Sequence, residues 1–344
     1  MRFAFVFSLA IAAGLLLTGC EQAPQRRELP EPAPTGPGAA PPPASTPDAT
    51  AVASETPAPV VRGSAGCGTP VQAGSSIRSI ESDGSQRSYR LYVPSGYVPG
   101  RPAALVLNYH GFGASALEQE QYSEYPAAAD KHGFIVATPE GTSSPREWFL
   151  YGPVEQGYVD DFAFTGRLID ELSATLCIDE RRIFATGLSN GGGMTSLAGC
   201  VLSDRIAAIA PVAGSPYAEA RCRDAGPMPI IAFHGTEDPL VPFEAGPDVG
   251  RLDLFRFGAR NNMRDWARHN GCNMTLKTDR VAPDVVVESY IGCRDNADVQ
   301  LYVIEGGGHV WPGASRDLPA FGHTTQSISA TELAWLFFAA HPKR

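Results

Sequence analysis

The chain reads as an α/β protein built on a mostly parallel central sheet with helices on both faces. Three observations predict this. Short apolar runs recur, as strands buried on both faces require. Segments with helical spacing of apolar residues lie between them. The two kinds alternate, and parallel strands need such crossovers to connect them.

The elements follow in order. Residue Arg2 and the apolar stretch 3–17 form a short positive n-region and an h-region, too short for a comfortable membrane span. The stretch ends in Leu17-Thr18-Gly19-Cys20, which resembles the bacterial lipobox. Residues 1–19 are therefore expected to be a signal peptide and Cys20 a lipidated residue, so the membrane is reached through an anchor alone. The expected location is exported, extracellular or periplasmic. Residues 20–66 are expected to be a tether: 21–66 hold eleven Pro and ten Ala and no aromatic residue, too little apolar surface to offset ordering entropy. A folded domain is expected over 67–344.

Within it, 87–94 alternates Tyr89, Leu91 and Val93 toward one face. Further strands are expected at 103–109, 134–139, 182–187, 206–213, 229–234 and 299–305. Helices are expected at 116–131, 162–176, 191–202, 257–269 and 330–340. The last opens with Ser329-x-x-Glu332, a capping-box pattern, and sets Leu333, Leu336, Phe337 and Ala340 on one face. Asp160-Asp161 precedes the second helix and is expected to cap it.

Composition excludes some classes. The net charge is -10, and no basic run stands out, so a nucleic-acid partner is not expected. Six cysteines follow Cys20: Cys67, Cys177, Cys200, Cys222, Cys272 and Cys293. An even number in an exported chain predicts three disulfides, with fifteen connectivities open. None has C-x-x-C spacing, so a metal site is not expected.

Chemistry concentrates in four loops that follow strands. Gly187-Leu188-Ser189-Asn190-Gly191 is the one G-x-S-x-G of the chain, between a strand and a helix. That context turns a serine sharply out of the sheet top as a nucleophile, and the Asn190 amide can donate to an oxyanion. His234-Gly235-Thr236-Glu237-Asp238 follows a later strand and supplies the acid, Asp238, with Glu237 as its rival. Gly306-Gly307-Gly308-His309-Val310-Trp311 follows the next and supplies the base, His309. The order Ser, Asp, His is that of the α/β-hydrolase fold. Among the other histidines, His323 is the rival; His110 and His234 end strands and are read as structural. His110-Gly111-Phe112-Gly113 follows an early strand, and the Phe112 amide is the expected second oxyanion donor. The same stretch, Gly111-x-Gly113-x-x-Ala116, is a loose dinucleotide fingerprint, but a nicotinamide reading leaves the triad order unexplained. Trp311, Trp148 and His110 are the expected substrate-binding residues. An open cleft is expected, walled by Trp311 and part of an insertion over 243–290.

These stretches resemble the poly(3-hydroxybutyrate) depolymerase-type and feruloyl-esterase-type serine esterases, from about Cys67 to the end. The matching residues are Tyr109-His110-Gly111-Phe112-Gly113, Gly187 to Gly192, His234 to Asp238 and Gly307 to Gly313. The resemblance implies an α/β-hydrolase fold, a serine carboxylesterase with Ser189, Asp238 and His309 as its triad, and no cofactor. It also implies a Cys272–Cys293 disulfide; Cys200–Cys222 and Cys67–Cys177 are the expected remaining pairs. The expected partner is an ester with an aromatic-acyl or hydroxyalkanoate group, free or attached to a polymer, acted on by a monomer. A serine peptidase or acyltransferase using the same residues, or a non-catalytic lipoprotein, are the rival readings.

The leader makes a direct prediction. Mass spectrometry of the membrane-extracted protein should find an N-terminal Cys20 carrying acyl chains. An unmodified Cys20 at the mature terminus would contradict the anchor.

Overall fold

The computed structural model describes residues 63–150, 159–246, 255 and 257–343. The expected signal segment, Cys20 and the tether as far as residue 62 lie outside the described residues. Strands in chain order are β1 (Gly74–Ser82), β2 (Ser85–Val93), β3 (Ala103–Tyr109), β4 (Ile135–Pro139), β5 (Ile178–Leu188), β6 (Ala208–Val212), β7 (Ile230–Gly235), β8 (Lys277–Ala282), β9 (Val285–Tyr290) and β10 (Val299–Ile304). Helices are α1 (Ala116–Ser123), α2 (Tyr125–His132), α3 (Asp161–Thr175), α4 (Asn190–Val201), α5 (Glu219–Cys222), α6 (Ala259–His269) and α7 (Ala330–Ala340).

All ten strands join one sheet in the order β1-β2-β4-β3-β5-β6-β7-β10-β9-β8. The six from β4 to β10 pair in parallel. The outer hairpins β1–β2 and β8–β9 are antiparallel and close both edges. Alternate residues of β3 enter two cores. Leu105, Leu107 and Tyr109 pack with residues of α3, α4 and α6, while Ala104 and Val106 pack with residues of α2 and α7. Helices therefore cover both faces, which is why the parallel strands are largely apolar where they run through the core.

Three strands, β1, β8 and β9, escaped the sequence reading. β1 and β8 are edge strands whose side chains are mostly exposed or half-buried, so they lack an apolar run. A local signal for the first hairpin was present: its turn is Asp83-Gly84, both at positive φ (51° and 73°), the dipeptide that two-residue hairpins favour. The expected helix over 116–131 is two helices. Glu124 takes φ 57° between them, and Pro126 follows, whose ring and missing N–H oppose a continuous helix. Helix α7 buries Ala330, Ala334, Trp335, Phe337 and Phe338, while Leu336 is 60% exposed. It is apolar on nearly every side, so spacing did not phase it. Residues 63–66 are packed: Ser64 Oγ donates to the Leu176 carbonyl at 2.6 Å and accepts from the Ile178 amide at 2.9 Å. Cys67–Cys177, Cys200–Cys222 and Cys272–Cys293 are the disulfides.

The two acidic residues ahead of α3 divide their work. Asp160 caps the helix, accepting from the Phe162 and Ala163 amides at 3.0 and 2.9 Å. Asp161 is fully buried and meets Arg87 of β2 at 2.6 Å, while its other oxygen accepts from the Phe149 amide at 2.7 Å. The Arg87 guanidinium lies 4.0 Å over the Phe164 ring. Removing one member of such a pair leaves a buried charge without a partner. Asp161→Ala should thus cost about 3–5 kcal/mol in urea unfolding. A loss within the error of a surface substitution would show that the pair does not hold β2 to α3.

Candidate active site

The turn at Ser189 is built by close packing. Strand β5 ends at Leu188, and Ser189 begins α4 with φ 59° and ψ -118°. Such a backbone costs a non-glycine residue about 1–3 kcal/mol and persists where the surroundings over-determine it. Here the Ser189 amide donates to the Val212 carbonyl of β6, and its carbonyl accepts from Gly193, both at 2.9 Å. Next to it, a Cβ on Gly191 would collide with the Tyr109 and His110 carbonyls. The absence of that carbon lets α4 start against the end of β3. Helix α4 holds Gly191, Gly192, Gly193 and Gly199, poor helix formers, yet ten of its twelve residues are buried. Packing, and not propensity, maintains it.

That approach brings the loop after β3 against the serine. A Cβ on Gly111 would lie 3.6 Å from the Ser189 Cβ. Three bonds fix the loop from behind. His110 Nε2 accepts from the Gly141 amide at 2.8 Å, so its proton sits on Nδ1, which donates to the Gly111 carbonyl at 2.8 Å. Trp148 Nε1 donates to the His110 carbonyl at 2.8 Å. The Asn190 side chain clasps the Trp148 backbone, accepting from its amide at 2.7 Å and donating to its carbonyl at 3.1 Å. Burial pushes the His110 imidazole below its usual range, which keeps it neutral in this role. Among the described residues, neither the Phe112 nor the Asn190 backbone amide meets an acceptor.

On the other side, β7 and β10 run parallel in register, Gly235 beside Ile304. Their following loops are tied together: the Glu237 amide donates to the Gly307 carbonyl at 2.9 Å and the Gly306 amide to Thr236 Oγ1 at 2.9 Å. His309 Nδ1 faces Asp238 Oδ2 at 2.7 Å. Asp238 Oδ1 accepts from the Leu240 and Val241 amides, both at 2.8 Å. Burial alone would raise this carboxyl; the bond from His309, the electrostatic influence of the His309 and His234 rings and the Val241 amide outweigh it, and the group lies below its ordinary value. The rival Glu237 is exposed, and His323 contributes its carbonyl to the Gly308 amide at 3.0 Å.

Ser189 and His309 open onto one cleft of about 530 Å³. Phe112, Leu188, Leu240, Leu318 and Phe321 form its apolar wall, with Tyr122, Gln119, Glu118 and Arg316 supplying polar atoms. The expected substrate-binding residues are not among its lining. Trp311 is 1% exposed; its indole donates to Thr331 Oγ1 at 3.0 Å and packs edge-on to Tyr125. Its backbone passes the site, but the side chain turns into the core. Trp148 and His110 are buried behind the loop that they brace. Among the described residues, the 243–290 insertion does not line this cleft either; the segment 316–321 does. Local sequence gave no pointer to that segment, because long-range bonds bring it alongside, the His309 amide to the Phe321 carbonyl at 2.7 Å and the Gly308 amide to the His323 carbonyl at 3.0 Å.

The sheet order and the loops gathered at the carboxyl ends of its strands define an α/β-hydrolase fold. The chain belongs to the esterase PHB depolymerase family, whose pattern matches residues 87–253. It is 33% identical over 324 residues to a putative esterase NocK of Nocardia uniformis subsp. tsuyamanensis, covering 86% of this chain and 90% of that one. Feruloyl esterase B of Piromyces equi is 38% identical over 231 residues, 65% of this chain; the match spans 42% of that longer relative. Among solved structures, an acetyl xylan esterase from Aspergillus awamori superposes with a TM-score of 0.53 at 17% identity, covering 68% of this chain and 94% of that one, which supports the shared fold.

The depressed Asp238 carboxyl has a stability consequence. Its ionisation stabilises the fold above the unfolded value of about 3.9, and the contribution is lost as pH falls through the folded value. Asp238→Asn should therefore lose less stability than the parent on acidification from about pH 6 to about pH 3. Urea midpoints at both pH values check this, and equal acid losses in the two proteins would contradict it.

Proposed function

We propose that the protein is an exported serine carboxylic-ester hydrolase that works through an acyl-enzyme, with Ser189, His309 and Asp238 as its triad. The observation that carries this reading is the 2.7 Å His309–Asp238 pair opening onto the same cleft as a serine held at φ 59°. His309 takes the Ser189 proton as the hydroxyl oxygen attacks the ester carbonyl. The amides of Phe112 and Asn190 receive the developing oxyanion. Asp238, held ionised, fixes the imidazole with its proton on Nδ1 and balances the imidazolium. The tetrahedral species collapses, the alcohol leaves with the proton from His309 Nε2, and water activated by Nε2 releases the acid. Nothing in these steps calls for a cofactor.

The acyl group we assign is aromatic or similarly bulky. Phe112, Leu240 and Phe321 are 53%, 45% and 38% exposed at the cleft, an apolar wall that an aromatic ring can cover. The likeness to a feruloyl esterase agrees with this choice, as does the matching segment of a bifunctional acetylxylan esterase/xylanase from Neocallimastix patriciarum with esters attached to a polysaccharide. Three disulfides suit an oxidising, exported location, with Cys20 as the anchor.

Hydrolysis of methyl ferulate, short p-nitrophenyl esters, acetylated xylan and hydroxybutyrate oligomers should rank the aromatic-acyl ester first by kcat/KM. Ser189→Ala should lower kcat on the order of 10⁶-fold with the melting temperature kept, as for other triad serines. Retention of a tenth of the parent activity would remove Ser189 as nucleophile, and preference for hydroxybutyrate oligomers would overturn the acyl assignment.

A further inference from the structure

A second imidazole lies against the acid. His234 is the fifth residue of β7, paired across from Val303 of β10, and it is 2% exposed. Its Nε2 is 3.0 Å from the Val241 carbonyl and 3.4 Å from Asp238 Oδ2. A carbonyl only accepts, so the proton is on Nε2. That one N–H closes the acid loop upon itself. Val241 accepts from His234 through its carbonyl and donates to Asp238 Oδ1 through its amide. The carboxylate thus stands between two imidazoles, His309 at 2.7 Å and His234 at 3.4 Å. The longer contact adds an N–H dipole pointed near the anion without competing for the short bond.

Packing alone does not account for an imidazole here. Nδ1 of His234 is buried without a hydrogen-bond partner among the described residues. His234 also borders a small cavity beneath the base loop, with Gly235, Gly307, Gly308 and Val310. A buried nitrogen left in this way costs free energy, and an apolar side chain of similar volume would avoid it. What the imidazole adds is the donor at Nε2. Burial pushes its protonation below the usual histidine range, with the Asp238 charge opposing, so it stays a neutral donor.

We propose that His234 is a positioning residue of the hydrolysis: its Nε2–H holds Val241 and the Asp238 carboxylate in the geometry that aligns His309. This rests on the esterase reading above. His234 touches no reacting atom and acts through Asp238.

The position of the donor supplies the test. The amide nitrogen of glutamine falls near the imidazole Nε2, whereas that of asparagine falls near Nδ1. His234→Leu and His234→Asn should lower kcat by about 10–100-fold, the scale of a misaligned catalytic group, with KM within about twofold. His234→Gln should recover most of the lost kcat. If the leucine variant does not fold, the glutamine and asparagine pair carries the same comparison. Equal kcat in glutamine and asparagine variants, or a change in KM alone, would overturn the proposal. A second readout is the downfield proton resonance of the His309 Nδ1–H bonded to Asp238. It should persist in the glutamine variant and broaden or move in the asparagine variant. An identical resonance in both would also overturn it. This signal needs no turnover, so it separates failure of this inference from failure of the esterase reading.

Discussion

The site depends on one backbone constraint, the left-handed turn at Ser189. A serine does not adopt φ 59° freely, so its neighbours must enforce it. They do so by leaving no alternative space. Gly191 packs under the Tyr109 and His110 carbonyls, and the bond from the Ser189 amide to Val212 ties the turn to β6. The same tight packing sets the position of the loop after β3, because Gly111 meets Ser189 directly. The turn at Ser189 and the loop after β3 are therefore one packed unit.

A second unit forms where β7 and β10 end side by side. Parallel strands in register deliver their following loops to the same height, and backbone bonds between Glu237 and Gly307 then lock them. The short bond between His309 and Asp238 is a product of that registry. The large aromatic side chains near the site brace it from behind: Trp148 holds the His110 carbonyl and Trp311 reaches Thr331 of α7. The surfaces that meet solvent at the cleft are smaller and come from loops, Phe112, Leu240 and Phe321. Rigid aromatic packing behind a loop-built wall fits a site whose chemistry is fixed and whose binding surface is set by loops.

The sequence by itself determined the parallel core of the fold and the order of its chemical groups. Apolar runs buried on both faces are local signals, and so is a G-x-S-x-G between strand and helix. The positions of Asp238 and His309 after successive core strands were legible for the same reason. Only the tertiary structure decided which side chains face the cleft. Trp311 lies two residues from His309, yet its ring turns inward to Tyr125, and Phe321, twelve residues away, comes to the His309 amide instead. It also decided that His234 stands at the acid and that Asp161 pairs with Arg87, 74 residues away in the chain. Such pairings depend on strand register and loop closure across the sheet. Spacing along the chain records which face of an element a residue is on, and it does not record which distant loop that face will meet.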